Sequence, residues 1–219
     1  MIIAKAVEEI IGRSPFLEEA LNDELINVSA LARKIKPEVE KLSRKEVRES
    51  AIIMAINRRP ADRQFKVNKS FRVFLNALGD IIVRSGLSDH TFENSPGLVK
   101  CQRELIDGLS QENEAFYTFS KGVYETTLVA SSSLDKKIRD VFKNEKLVSY
   151  KNHLSSVTLR LPKDNTEISG IYYYFLKQLA WAGINVCEVI STSNEISLVV
   201  SEDDVNYAFP LLMKMKQTS

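Results

Sequence analysis

The chain has 219 residues, 44% of them hydrophobic and 27% charged, values of folded protein that leave little room for extended disorder. That length exceeds one domain of about 100 to 150 residues and favours two or three parts. A formal net charge of +1 supplies no overall field for nucleic acid, an anionic membrane or an acidic substrate.

The opening segment MIIAKAVEEIIGRSP carries charges every few residues and lacks the apolar core of a signal peptide. No stretch reaches the ~18 apolar residues that span a bilayer. The two cysteines, Cys101 and Cys187, have neither CxxC nor Cys/His ligand spacing. The expectation is a cytoplasmic, reduced protein with no membrane association, no cofactor and no metal, and with both thiols buried.

From Ile2 to Asn57 the apolar residues recur at helical spacing, in IIAKAVEEII, FLEEAL, VSALARKI and VRESAIIMAI. Ser14 followed by Pro15 marks a helix start, and Ser29 is the expected cap of the third helix. Ser43 with Glu46 spells a capping box, which starts a fourth helix over about 44–59, stopped by Pro60. Residues 1–70 therefore read as a helical or winged-helix domain. Within it, Asn27–Ile35 followed by Ser43–Ile52 resembles a helix-turn-helix, with Arg44, Lys45 and Arg48 as the candidate DNA contacts. Against that, fourteen basic and eleven acidic residues give this region only +3, and the connection over 36–42 is long for such a turn.

Beyond Pro60 the pattern changes to β-branched runs. FKVNKSFRVF and IIVRSG read as extended. The order is then helix (SPGLVKCQRELIDGL), two strands about Gly122 (AFYTFSKGV, ETTLVASS) and helix (SLDKKIRDVFKNE). A second round follows: strand LSSVTLRLP, helix EISGIYYYFLKQLAWAG, strands NVCEVIST and EISLVVSE about Asn194, and helix DDVNYAFPLLMKM. Each round is a βαββα unit of the ferredoxin-like kind, with only faint residue identity between the copies. The fold class is α+β, divided as 1–70 helical, 71–153 first unit and 154–219 second unit.

The segment Ala182-Gly183-Ile184-Asn185-Val186 through Ser191-Thr192 and Glu195-Ile196-Ser197 to Val199-Val200 resembles the second and third strands of ACT domains, above all the regulatory ACT domains of aspartate kinases. The first unit matches more loosely, through Ser95-Pro96-Gly97-Leu98, Gly122 and Glu125. The resemblance implies a dimer or higher homo-oligomer assembled through ACT units, with an amino acid or small metabolite held between one domain's strand-to-helix loop and a neighbouring strand. It implies ligand contacts from Asp164, Asn165, Ile168, Ser169 and Gly170 in the loop, and from Asn185, Val186, Ser191 and Thr192 in the strands. A loop entering a helix offers backbone amides and the positive helix end to a carboxylate. The sequence departs from the family at Ser169-Gly170, where Pro-Gly is usual, and at the bulky run Tyr172-Tyr173-Tyr174.

No catalytic residue is assigned. About 77 residues precede the first strand of the first repeat, too few for a kinase domain, and neither the family's Lys-Phe-Gly-Gly signature nor a GxGxxG or GxxxxGK[ST] cradle occurs. His90 and His153 read as surface or strand-edge histidines without a nucleophile beside them, and Glu8-Glu9, Glu18-Glu19 and Asp203-Asp204 as first-turn or exposed charges. The expectation is a non-catalytic amino-acid sensor. A ligand-responsive DNA-binding regulator and an assembly module without ligand are the alternatives.

Overall fold

The structure is a computed structural model that describes residues 1–22, 24–59, 69–109 and 115–217. The chain divides into two compact units, Met1–Asn68 and Lys69–Ser219.

The described residues of the first unit form helices joined by turns and contain no strand; the residues that follow Arg59 in this unit, where a wing was expected, lie outside the described residues. Helix α1 (Ile3–Gly12) buries Ala6, Val7, Ile10 and Ile11, one stripe at three- and four-residue spacing. Helix α2 (Pro15–Asn22) begins as expected, the Ser14 hydroxyl accepting from the Leu17 amide. Helix α3 (Val28–Ser43) is capped by Asn27, whose side chain accepts from the Ala30 amide at 3.0 Å, and not by Ser29. It also runs through Pro37, where a connection was expected. Leu31, Ala32, Ile35 and Val39 line one buried face, and this apolar stripe outweighs the hydrogen bond that proline removes.

The expected capping box is absent. Ser43 is the last residue of α3, Arg44 ends that helix in the left-handed region (φ 55°), and α4 runs from Glu49 to Asn57. The turn is fixed instead by the Glu40 carboxylate, which accepts from the Val47 amide at 3.0 Å. Val47, Ile52 and Ile56 complete the core with α1 and α3. Glu18 and Arg59, with side chains only 10% and 14% exposed, form an ion pair across it.

The second unit opens with α5 (Lys69–Asn76), a helix where an extended segment was expected; residues 65–68 of that expectation lie outside the described residues. Phe74 and Leu75 are buried within it and Leu78 just beyond, at the i, i+1, i+4 spacing of a helix rather than the alternation of a strand. The remaining elements are β1 (Ile81–Glu93), α6 (Leu98–Leu109), β2 (Tyr117–Lys121), β3 (Glu125–Ser131), α7 (Asp135–Val141), β4 (Leu147–Arg160), α8 (Ile171–Trp181), β5 (Glu188–Ser191), β6 (Glu195–Ser201) and α9 (Glu202–Gln217). They form one antiparallel sheet in the order β2-β3-β1-β4-β6-β5.

The two central strands, 13 and 14 residues long, are paired along their length, Ile81 opposite Leu159 and Phe92 opposite Leu147. Each has two roles. The second half of β1 pairs with β3, while its first half lies beside the part of β4 that pairs with β6. Both strands carry an irregularity near the middle, marked by left-handed backbone at Gly86 (φ 68°) and His153 (φ 53°). The residues that follow, Leu87 and Leu154, are paired with each other, so the two repeats are related about this point.

One sheet face carries the helices. Phe92, Leu128 and Ala130 pack with Leu98, Leu105, Leu109, Ile138 and Phe142 in the first repeat. In the second, Val157, Leu159, Leu198 and Val200 are buried together with Ile171, Phe175 and Leu179 of α8 and Ala208 and Leu212 of α9. The other face buries Leu87, Val129, Leu154 and Val199, flanked by Phe116, Cys187 and Ile190. Both cysteines are half-buried rather than buried. None of the three consecutive tyrosines is buried, because Ile171, Phe175 and Leu179 take the core positions of α8.

Candidate functional site

The strand-to-helix loop of the second repeat is built in three steps. At the end of β4 the Leu161 amide donates to the Asn194 carbonyl at 2.6 Å, tying the strand to the β5–β6 turn. A short 3-10 helix over Lys163–Glu167 follows. Within it Asn165, 6% exposed, donates its amide to the carbonyls of Pro162 (2.8 Å) and Ser193 (2.6 Å). Asn165 thus holds the loop against the hairpin, with both side-chain N–H groups engaged.

The loop then reaches Gly170, whose φ of 88° lies where only glycine sits without a steric cost. The first bond of α8 runs from the Tyr174 amide to the Gly170 carbonyl, at 2.9 Å, so the first-turn amides point out of the helix end. Gly170 has no side chain to cap them, and the first turn contains no acidic residue. Ile168 and Gly170 are half-buried beside this end and Ser169 is exposed.

The strand residues named from the sequence fall into two groups. Ser191 and Thr192, both exposed, lie at the hairpin end of β5, the end to which Asn165 is tied. Asn185 (exposed) and Val186 (half-buried) precede the four-residue strand and lie at its opposite end. The chain therefore does not bring all nine candidates into one site. Asp164 is in the 3-10 helix, and its side chain lies outside the described residues. In the helical unit, Arg44, Lys45 and Arg48 are exposed on the turn between α3 and α4 rather than on a recognition helix.

His90 is neither a surface nor a strand-edge residue. It is 2% exposed on the helix-bearing face of β1, with Nε2 3.1 Å from Asp135 Oδ1 and 3.2 Å from Ser88 Oγ. Ser88 donates to the same carboxylate oxygen at 2.5 Å, and the Tyr150 hydroxyl donates to Oδ2 at 2.7 Å. Burial alone would raise the Asp135 carboxyl, but these hydrogen bonds outweigh it and hold the group below the ordinary aspartate range. The same bond to Asp135, with burial, raises the Tyr150 phenol. Ser, His and Asp do not form a nucleophilic triad here: Ser88 is fully buried and gives its proton to the aspartate instead of the imidazole. The pairing of Asp89 with His90 in sequence concealed this cluster, because the true partner stands 45 residues away. His153 is exposed and faces Glu202 at 3.4 Å.

On the opposite face Asp89 is 2% exposed and accepts from the Thr91 hydroxyl at 3.2 Å. Burial, and then the Asp89 charge, push the Glu188 carboxyl above its ordinary range. Among the described residues no group of His, Cys, Asp and Glu could hold a metal ion, and no helix is long and apolar enough to cross a membrane.

No protein-family model matches the chain, and no curated protein matches it. Solved structures do. The regulatory subunit of aspartate kinase from Thermus thermophilus, in its ligand-free form, aligns with a TM-score of 0.51 at 9% identity, over 64% of this chain and 98% of that one. This chain contains a fold similar to an aspartate kinase regulatory subunit. The aspartate kinase of Clostridium acetobutylicum, described as an allosteric enzyme, aligns with a TM-score of 0.50 at 15% identity, over 62% of this chain. The match covers 34% of the Clostridium chain, about a third of that enzyme's length. The fold that the sequence resemblance implied is therefore present.

Proposed function

We propose that this is a non-catalytic regulatory protein that senses an amino acid or a related small metabolite through its second repeat. The observation that carries the reading is the N-terminus of α8: a glycine at φ 88°, a first turn without an acidic residue, and a loop locked in place by Asn165. Such an end attracts a carboxylate through the helix dipole and the first-turn amides. Ser169 and Ser191 add hydroxyls, while Asn185 and Val186 contribute from a neighbouring ACT surface in a homodimer or higher oligomer. Ligand bound between copies shifts the population of their arrangements, and this couples metabolite level to a partner.

A thermal-shift screen over the proteinogenic amino acids tests the proposal. One of them raises the melting temperature in proportion to ln(1 + [L]/Kd), and Asn185→Ala removes the effect. If millimolar amino acids leave both proteins unmoved, the assembly role alone remains.

A second reading, a ligand-responsive DNA binder, draws on the exposed cations Arg44, Lys45 and Arg48 gathered on one turn. It requires retention of random duplex DNA that falls steeply with salt. No retention at low salt removes it.

A further inference from the structure

We infer that the first repeat carries a small-carboxylate site of its own, at the N-terminus of α6, and that the chain fills it permanently with the Glu145 side chain. Helix α6 has 12 residues and no acidic residue in its first turn. Ser95 precedes it, and its hydroxyl accepts from the amides of Gly97 (3.1 Å) and Leu98 (3.3 Å) while donating its proton to Glu145 Oε2. The other carboxylate oxygen lies where residue 97 would carry a β-carbon, so only glycine leaves room for it. That oxygen also accepts from the Cys101 thiol, one turn along α6, at 3.9 Å.

Glu145 comes from the segment after α7, where its amide donates to the Phe142 carbonyl at 2.9 Å, and it is half-buried. Among the described residues no Lys, Arg or His is paired with it; the neighbouring Lys146 goes to Glu93. The carboxylate is half-buried and without a cation, and it reaches the helix end through Ser95, whose hydroxyl takes the Gly97 and Leu98 amides and passes its own proton to Glu145. The second repeat offers the corresponding helix end at α8, also entered through a glycine. The two repeats thus differ at this helix end: the first is closed by its own side chain.

Chemical rescue of the full chain tests this. Glu145→Ala removes a group the size of propionate. The expected result is a lower melting temperature that acetate or propionate restores saturably, that chloride at equal ionic strength does not restore, and that the parent protein does not show. Gly97→Ala in the Glu145→Ala background should abolish the rescue, because its methyl group fills the site. Equal responses to acetate and chloride, or rescue that survives Gly97→Ala, would overturn the inference.

If Glu145→Ala does not fold, Glu145→Gln in a Cys187→Ser background keeps the volume and removes the charge. Burial and then Glu145 raise the Cys101 thiol, so the pH profile of Cys101 alkylation should move to lower pH in the Gln variant. An unmoved profile would show that the carboxylate is not seated there. Neither readout uses an amino-acid ligand, so failure here is distinct from failure of the sensing role of α8.

Discussion

Leu87 and Leu154 stand opposite each other on the two central strands, and the residue before each, Gly86 and His153, has left-handed backbone. The same device occurs in both repeats, but only one copy uses glycine. A non-glycine residue in this region carries a cost of roughly 1 kcal/mol. His153→Gly should therefore stabilise the protein by up to about 1 kcal/mol, the entropy of the unfolded glycine offsetting part of the gain. Gly86→Ala should destabilise it by about 1 kcal/mol, because alanine is strained at this positive φ while its β-carbon would meet Ser132 Oγ only at ordinary contact distance, 3.4 Å. Urea unfolding midpoints of the two variants check both signs.

The repeat explains a second asymmetry. Ser88 and Ser155 occupy equivalent positions beside Leu87 and Leu154, but Ser88 bonds to Asp135 and His90, whereas buried Ser155 Oγ has no partner among the described residues. The chain places Val157 and Val205 where the first repeat has His90 and Asp135. Ser155→Ala is expected to be neutral or stabilising by about 1 kcal/mol, because it removes an unsatisfied hydroxyl. Ser88→Ala should cost about 1.5 to 3 kcal/mol, as one hydrogen bond to a charged group is lost. Denaturant titrations in parallel separate the two.

Asp135 sets a pH dependence with a definite sign. Its carboxyl is held below the ordinary value by Ser88, Tyr150 and His90 against the opposing effect of burial. A carboxyl depressed in the folded state contributes stability above its unfolded value of about 3.9 and loses it as pH falls through the folded value. Asp135→Asn should therefore be less stable than the parent at neutral pH and show a shallower loss of stability below about pH 4. Thermal unfolding across the acid range measures this; identical acid slopes in the two proteins would show that Asp135 is not the group responsible.

The alternating and helical patterns of the second unit were legible because burial imposes the sequence period: Val157, Leu159, Ile196, Leu198 and Val200 all face one side. The contents of the polar sites were not. His90 and Asp135, like Ser95 and Glu145, are joined across 45 and 50 residues by sheet pairing, and no local pattern records such a contact. The expected start at Ser43 failed for a related reason, since the buried stripe of α3 extends to that residue and takes it into the preceding helix. In the loop around Gly170 the hold of Asn165 on the hairpin was likewise not legible, because its contact with the Ser193 carbonyl spans 28 residues.

That clamp makes a prediction of its own. Asn165→Ala removes two hydrogen bonds from a buried amide and should cost about 1 to 3 kcal/mol. The loss is expected to be local, so hydrogen exchange should accelerate across 162–170 while the amides of α6 keep their protection.

The most direct measurement is the backbone amide NMR response of the full chain to the amino acid selected by the thermal screen. Ligand held at the N-terminus of α8 shifts the amides of Gly170, Ile171 and Tyr172 saturably and leaves those of Gly97 and Leu98 in place, since Glu145 already occupies that end. Shifts centred on Gly97 and Leu98, or no shift at either helix end while the protein is stabilised, would contradict sensing through the second repeat.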